Sequence, residues 1–325
     1  MIIAPQTDSL NSLVEKAAKA LANGELVALP TETVYGLAAD AANGKAVANI
    51  FEVKGRPHFN PLIAHVDGQL MAKQYVEIDP ISQRLMDMFW PGPLTFVLPL
   101  LPQANIHPLV SAGLPTMALR CPVGIFAKIV TKLGRPVVAP SANRSGRLSP
   151  TNAQAVADDL ENQISFIIDG GQCHVGVEST IIKVDHDDVF LLRPGGLAAE
   201  DIESVLNKKL IRLDQLAAIE APGMMQSHYA PKARVRMNAS EVKHNEALLA
   251  YGKNRIKGAE NARLMLNLSE TGDMREAAVH LFSYMKKLDQ KNIEMIAVEP
   301  IPNIGLGEAI NDRLQRASAP RSDKE

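Results

Sequence analysis

Thr180-Ile-Ile-Lys-Val-Asp-His-Asp-Asp-Val-Phe-Leu-Leu-Arg193 is the stretch that decides the fold. Two runs rich in β-branched and apolar residues, Thr180 to Val184 and Val189 to Arg193, flank the polar turn Asp185-His186-Asp187-Asp188, which is the pattern of a β-hairpin. The residues before it alternate short apolar strands with amphipathic helices, the pattern of crossover connections. A hairpin set among crossovers requires both parallel and antiparallel neighbours. The expected class is therefore α/β with a twisted, mixed sheet.

Upstream of the hairpin, residues 9 to 23 place Leu10, Leu13, Val14, Ala17, Ala18 and Leu21 on one helical face, with Asp8 or Ser9 as cap and Gly24 as stop. Leu26 to Leu29 reads as a strand ended by Pro30, and residues 44 to 53 as a helix with Ala46, Val47, Ile50 and Phe51 inward. Strands follow at Pro61 to Val66, Leu94 to Leu98, Met117 to Arg120, Val137 to Ala139 and Ile164 to Asp169. Helices fall between them, one ending near Trp90, then Gly124 to Leu133 and residues 152 to 160. Downstream, APGMMQSHYAPKA has no period and is punctuated by Pro and Gly, so about 210 to 234 reads as a linker. Beyond it, strands near 234–237, 247–251, 262–267 and 293–298 and helices at 272–290 and 306–317 predict a second, smaller α/β unit.

A chain of 325 residues suits two domains, and 46% apolar against 22% charged residues is a globular balance. A net charge of −2 supplies no overall field for nucleic acid or an anionic membrane, so any anion site must be local. The two cysteines, Cys121 and Cys173, sit in no metal-binding or disulfide pattern. MIIAPQTDSL lacks the basic and long apolar regions of a signal peptide, and no apolar run nears the roughly 20 residues that span a bilayer. These features predict a soluble cytoplasmic protein with no direct membrane contact. They predict no protein-bound metal site.

The common phosphate cradles are missing. Gly44-Lys45 precedes Ala46 without the upstream glycine of a P-loop, and Gly305-Leu306-Gly307 falls short of a dinucleotide fingerprint. There is no nucleophile elbow and no zinc-protease helix motif. What remains is a set of cations and hydroxyls at strand ends and in loops. Lys54 and Arg56 follow a helix in VKGRPHFNPL, where Gly55 lets the backbone approach a ligand and Pro57 and Pro61 stiffen the loop. Ser141, Asn143, Arg144, Ser145 and Ser149 follow the strand that ends in Ala139-Pro140. Ser179 and Thr180 precede one hairpin strand and Arg193 ends the other, so hairpin pairing would bring them together. Each alone is an ordinary surface or turn feature, and His65 on its apolar strand alone is an ordinary core histidine.

Together, LPTETVYGLAADA, FEVKGRPHFNPLIAHV, WPGPLTFVL, TMALRCP, VVAPSANRSG, GVESTII and LLRPGG resemble, in order and spacing, the YrdC-like domain of threonylcarbamoyl-AMP synthases, over about residues 10 to 197. PGMMQSHYAPKA and GLGEAINDRLQRAS resemble the connector and the C-terminal domain of the long, two-domain form. The linker departs from the family at Ala221 and at Met225-Gln226-Ser227, while Tyr229 and Lys232 are kept. The resemblance implies a YrdC-like catalytic domain over 1–210, a linker or lid over 211–234, and a smaller Rossmann-like α/β domain over 235–325. It implies that L-threonine and bicarbonate or CO2 form a carbamate. This joins the α-phosphate of ATP to give threonylcarbamoyl-AMP and pyrophosphate, and a separate transferase carries the group to tRNA. Magnesium would accompany ATP, and tRNA contact is not required. By the same resemblance Thr33, His65, Arg120 and Ser179 hold L-threonine. Lys54, Arg56, Asn60, Thr116, Ser141, Asn143, Ser149, Arg193 and Tyr229 surround ATP, with Lys54 and Arg56 as the catalytic cations. The alternatives are a non-catalytic RNA- or nucleotide-binding module and a hydrogenase-maturation carbamoyltransferase. The 4% aromatic content weighs against the first and the lack of cysteine clusters against the second.

Overall fold

The computed structural model describes residues 1–3, 9–160, 163–212, 222 and 228–320. β1 (Ile2–Ile3) and α1 (Leu10–Ala22) precede β2 (Val27–Leu29), β3 (Gly36–Asp40), α2 (Gly44–Lys54) and β4 (Ile63–His65). Next come α3 (Gln69–Ala72), α4 (Pro80–Phe89), β5 (Leu94–Pro99), α5 (Pro108–Ser111), β6 (Thr116–Arg120), α6 (Ile125–Leu133) and β7 (Val137–Val138). α7 (Ala153–Leu160), β8 (Phe166–Ile168), β9 (Thr180–Asp185), β10 (Asp188–Arg193), α8 (Ala199–Leu206) and β11 (Ile211–Arg212) complete the larger unit.

Its eleven strands run in the order β1-β8-β2-β3-β7-β4-β6-β5-β9-β10-β11. The hairpin forms as its alternation predicts, with Val189 opposite Val184, and β9 lies parallel to β5 on its other side. The sheet is mixed, because β5 is antiparallel to β6 while β4 is parallel to it. The helices form where the caps are placed. Ser9 caps α1 by accepting from the Ser12 amide, and Asp79 caps α4 with Pro80 at its first position. The alternative cap, Asp8, lies outside the described residues.

The smaller unit holds β12 (Arg234–Arg236), β13 (Glu246–Ala250), β14 (Met265–Asn267), α9 (Met274–Leu288), β15 (Met295–Val298) and α10 (Leu306–Ser318). Its four strands are all parallel, in the order β12-β15-β13-β14. Strands buried on both faces suit this arrangement, and all five residues of β13 are buried.

Three readings change. β3, in a stretch to which the sequence pattern assigns no element, is a five-residue central strand between β2 and β7. Ile211 and Arg212 are not linker: they pair in parallel with Phe190 and Leu191 as the edge strand. Lys54 and Arg56 do not stand on a solvated loop. Lys54 is the last residue of α2, and the two are 3% and 6% exposed. Most of the linker, residues 213–221 and 223–227, lies outside the described residues.

The two units share a core. Val34 and Val177 of the larger unit are buried in the same apolar cluster as Leu281, Phe282 and Ile310 of the smaller one. Polar ties surround that contact. Arg212 forks onto Glu308 at 2.7 and 3.0 Å, and Lys286 pairs with Asp158 at 2.7 Å.

Candidate functional site

The polar groups that matter gather where β4, β6 and β10 end and β9 begins, against the loops after β2 and β7. Because β4 and β6 are parallel, His65 is the register partner of Arg120. Arg120 is held from three sides: Nη1 donates to Thr33 Oγ1 at 2.8 Å, Nε to the Gly92 carbonyl at 3.2 Å, and Nη2 pairs with Glu32. Burial, reinforced by Arg120, pushes His65 down to about 3, so its imidazole is neutral at physiological pH. Ser179 stands just ahead of β9, its hydroxyl 2.8 Å from that of Thr95.

Arg193 lies at the far end of the hairpin, where a bulge after Leu191 breaks the register. Its guanidinium donates to the Ser179 carbonyl at 2.7 and 3.2 Å, to the Ser179 hydroxyl at 3.2 Å and to the Pro222 carbonyl at 3.0 Å. Hairpin pairing thus joins Ser179 and Arg193 as the sequence predicts. Arg56 donates to the carbonyls of Asn60 at 3.2 Å and Pro61 at 2.8 Å. Lys54 donates to the carbonyls of Ser141, at 2.6 Å, and Asn143. Asn143 in turn ties its loop by donating to the carbonyls of Arg144 and Arg147 at 2.8 and 2.9 Å.

Among the described residues, Lys54, Arg56 and Arg193 bind carbonyls and hydroxyls but no carboxylate. Burial pushes Lys54 well below the usual lysine range, and Arg56 adds repulsion. Burial likewise brings Arg56 down to about 10 and lowers Arg193. A pocket that penalises its own cations is short of negative charge. Leaving a buried charge uncompensated costs several kcal/mol, so such a pocket draws an anion.

Thr33, Arg56, His65, Arg120, Ser141, Ser179, Arg193 and Tyr229 all line one cavity of about 50 Å³. Asn60, Asn143 and Lys54 sit behind that wall. Ser149 reaches it through Glu178, to which its hydroxyl donates at 2.5 Å. Thr116 does not line the cavity; it opens β6, four residues before Arg120, opposite Pro99. A larger cleft of about 550 Å³ lies between the two units, lined by Arg147, Ser149, Lys232 and Lys286 among others. Two of its cations are neutralised, Arg147 by Asp159 and Lys286 by Asp158. The smaller cavity is where cations that hydrogen-bond no carboxylate among the described residues converge, with Glu178 beside them.

Sequence reasoning missed three residues here. Glu32 engages Arg120, Glu178 engages Ser149, and Arg313 of α10 donates to Glu178 at 2.8 Å. Glu32 and Glu178 stand beside Thr33 and Ser179, so adjacency was the available signal. Arg313 carried none. His228 and Tyr229, from the linker's end, are buried against the cavity, and Tyr229 stacks on Phe282 at 5.5 Å.

Fold and site together define a two-domain α/β protein with a buried cationic pocket walled by the larger unit and the end of the linker. Residues 19–195 match the family described as "Telomere recombination", and residues 197–319 match the threonylcarbamoyl-AMP synthase C-terminal domain. The chain is 37% identical to the threonylcarbamoyl-AMP synthase of Bacillus subtilis (strain 168), covering 97% of this chain and 96% of that one. It is 40% identical to the threonylcarbamoyl-AMP synthase of Pyrococcus abyssi, covering 94% of each. Among solved structures, P. abyssi Sua5 complexed with L-threonine superposes with a TM-score of 0.87 at 35% identity, covering 98% and 97% of the two chains. The chain belongs to the threonylcarbamoyl-AMP synthase family.

Proposed function

We propose that this protein makes threonylcarbamoyl-AMP and pyrophosphate from L-threonine, bicarbonate or CO2, and ATP. The observation that carries the reading is the convergence of Arg56 and Arg193, with Lys54 behind them, on one cavity where none of the three hydrogen-bonds a carboxylate among the described residues and the one lining carboxylate, Glu178, is already paired with Arg313. Beside them, Arg120, Thr33, His65 and Ser179 make a second group suited to an amino acid bearing a carboxylate, an amine and a hydroxyl. Arg120 takes the threonine carboxylate, and Ser179 and Thr33 supply hydroxyls. Lys54, Arg56, Asn60, Ser141, Asn143, Ser149, Arg193 and Tyr229 take ATP, whereas Thr116, off the cavity at the start of β6, is left out of the assignment.

The threonine amine and bicarbonate condense to a carbamate with loss of water. A carbamate oxygen then attacks the α-phosphorus, and the bond to the β-phosphate breaks to release pyrophosphate. This displacement needs positioning and charge neutralisation more than a protein nucleophile. The buried cations supply the neutralisation, and the neutral His65 adds no competing charge on the threonine side. A cavity of about 50 Å³ is far below the roughly 300–1,000 Å³ of a ligand cleft, so ATP entry requires the wall to open. Pro222, His228 and Tyr229 form the linker's share of that wall.

Glu32 and Glu178 are already engaged by arginines, and the described residues hold no cluster of acidic, His or Cys ligands for a metal. The residues therefore fit a divalent cation, magnesium in this reading, held by phosphate oxygens and water. It would screen the triphosphate. The product passes to a separate tRNA threonylcarbamoyl transferase. No helix among the described residues is long and apolar enough to cross a membrane. With two free, buried cysteines, we assign the protein to the cytoplasm.

The test is pyrophosphate release with ATP, threonine and bicarbonate each omitted in turn. All three are expected to be required, with an AMP-linked product. Cleavage of ATP to ADP and phosphate would place the attack on the wrong phosphorus and sink the reading.

A further inference from the structure

Residues 175–178 are gripped by the smaller unit. Gly176 has φ +81°, and a Cβ there would lie 2.3 Å from the Ala278 carbonyl oxygen and the Val279 Cα of α9. Val177 is buried in the smaller unit's core. Glu178 meets Arg313, and the next residue, Ser179, is held by Arg193. Arg313 is fully buried, the largest such side chain among the described residues. Its Nε donates to Glu178 at 2.8 Å and its Nη1 to Asp312 at 2.6 Å, while its guanidinium carbon lies 5.1 Å from the centre of the Tyr229 ring.

A buried ion pair between two units is an inefficient glue. Apolar residues of the same volume often hold such a contact as well or better. What the pair does here is electrostatic. Glu178 lines the cavity, and without Arg313 its charge would repel a triphosphate and fall on Arg193 alone. Burial alone would raise the Glu178 carboxyl, yet Arg313, Arg193 and the Ser149 hydroxyl together hold it down at about 2, so it stays ionised.

We infer that Arg313 is a positioning residue for the nucleotide. It takes the larger share of the Glu178 charge and fixes the carboxylate that holds Ser149, so that Arg193 keeps charge to offer the triphosphate. The smaller unit is then a built part of the active site. This inference rests on the function proposed above, which assigns Ser149 and Arg193 to ATP.

The test uses full-length Arg313→Met and Arg313→Met/Glu178→Gln, with calorimetric dissociation constants for ATP and for L-threonine measured separately. Arg313→Met should weaken ATP roughly 10- to 100-fold and threonine less than about threefold. The double variant should return ATP to within about fivefold of wild type, because the substituted amide carries no charge and can still accept from Ser149. A merely structural role would lower the folded fraction and, in the protein that does fold, would not separate ATP from threonine. Wild-type ATP affinity in Arg313→Met, or a double variant that folds but binds ATP no better than the single, overturns the inference. If Arg313→Met fails to fold, the double variant decides alone, since it buries no lone carboxylate. Product formation by wild type reports separately on the proposed function: normal product with unchanged ATP binding in the variants refutes only the role of Arg313.

Discussion

Lys54 Nζ donates to the Ser141 carbonyl at 2.6 Å, joining the last turn of α2 to the loop that follows β7. The Ser145 amide returns the contact by donating to the Lys54 carbonyl at 2.7 Å. The ammonium therefore anchors the very loop that carries Ser141 and Asn143. Lys54→Met keeps the length of the stem but leaves two carbonyls without their donor. Unmaking a buried, charge-assisted contact of this kind costs about 2–3 kcal/mol. Thermal unfolding should show that loss, and activity should fall further because the loop drifts. Unchanged stability would mean that water replaces the ammonium without cost.

Arg56→Ala removes a guanidinium from the cavity wall. Lost charge-assisted contacts to ATP of about 1.5–3 kcal/mol correspond to roughly 10- to 150-fold in ATP binding or turnover. Because the side chain holds the Asn60 and Pro61 carbonyls, stability should drop as well, though far-UV circular dichroism should keep its shape. Kinetics equal to wild type would remove Arg56 from the nucleotide site.

Much of this architecture was legible because it is periodic. α1, α9, α10 and the β9–β10 hairpin repeat apolar residues at helical or strand spacing, and their ends fell within a few residues of expectation. β3 was not legible, since Gly36-Leu37-Ala38-Ala39-Asp40 has no β-branched residue. Its small side chains answer to packing, as a Cβ on Gly36 would already meet that of Ala139 at 3.0 Å. β11 was lost for another reason: two exposed residues at a sheet edge carry no period. At the site, the cations and hydroxyls could be named from motifs, but not their counter-ions. Glu178 and Arg313 are 135 residues apart, and no local pattern links them.

Acid stability follows from the two buried histidines. Burial, with Arg120 for His65, pushes both His65 and His228 down to about 3 from an ordinary 6.5. Both are neutral when folded, and the unfolded chain takes up protons below pH 6.5. Their contribution is thus fully present above about 6.5 and is lost as pH falls toward 3. Each contributes a slope of at most about 1.4 kcal/mol per pH unit in that window. Urea unfolding at pH 7.5, 6.0 and 5.0 should show stability falling by nearly twice that slope near pH 5. His228→Gln should halve it. Glu178, held at about 2, adds its own loss only below about pH 4.5. A flat profile from pH 7.5 to 5 would show that the histidines charge without cost in the folded protein.

The contact at Gly176 makes the sharpest structural prediction. Its φ of +81° disfavours any side chain by roughly 1–2 kcal/mol. A methyl group there would also press on the α9 backbone at 2.3 Å, and backbone cannot swing aside as a side-chain tip can. Gly113→Ala is the matched control, with a φ of +78° and nothing within 4 Å of the added carbon. It should lower stability by the backbone term alone and leave activity near wild type. Gly176→Ala should cost several kcal/mol more than this control, because the two units must part to admit the methyl. Separation would draw Arg313 away from Glu178, so activity should fall by at least about tenfold, with the units melting in two steps by calorimetry. Equal stability and activity in the two variants would mean that the units slide past each other freely, and the grip on residues 175–178 would not matter for catalysis.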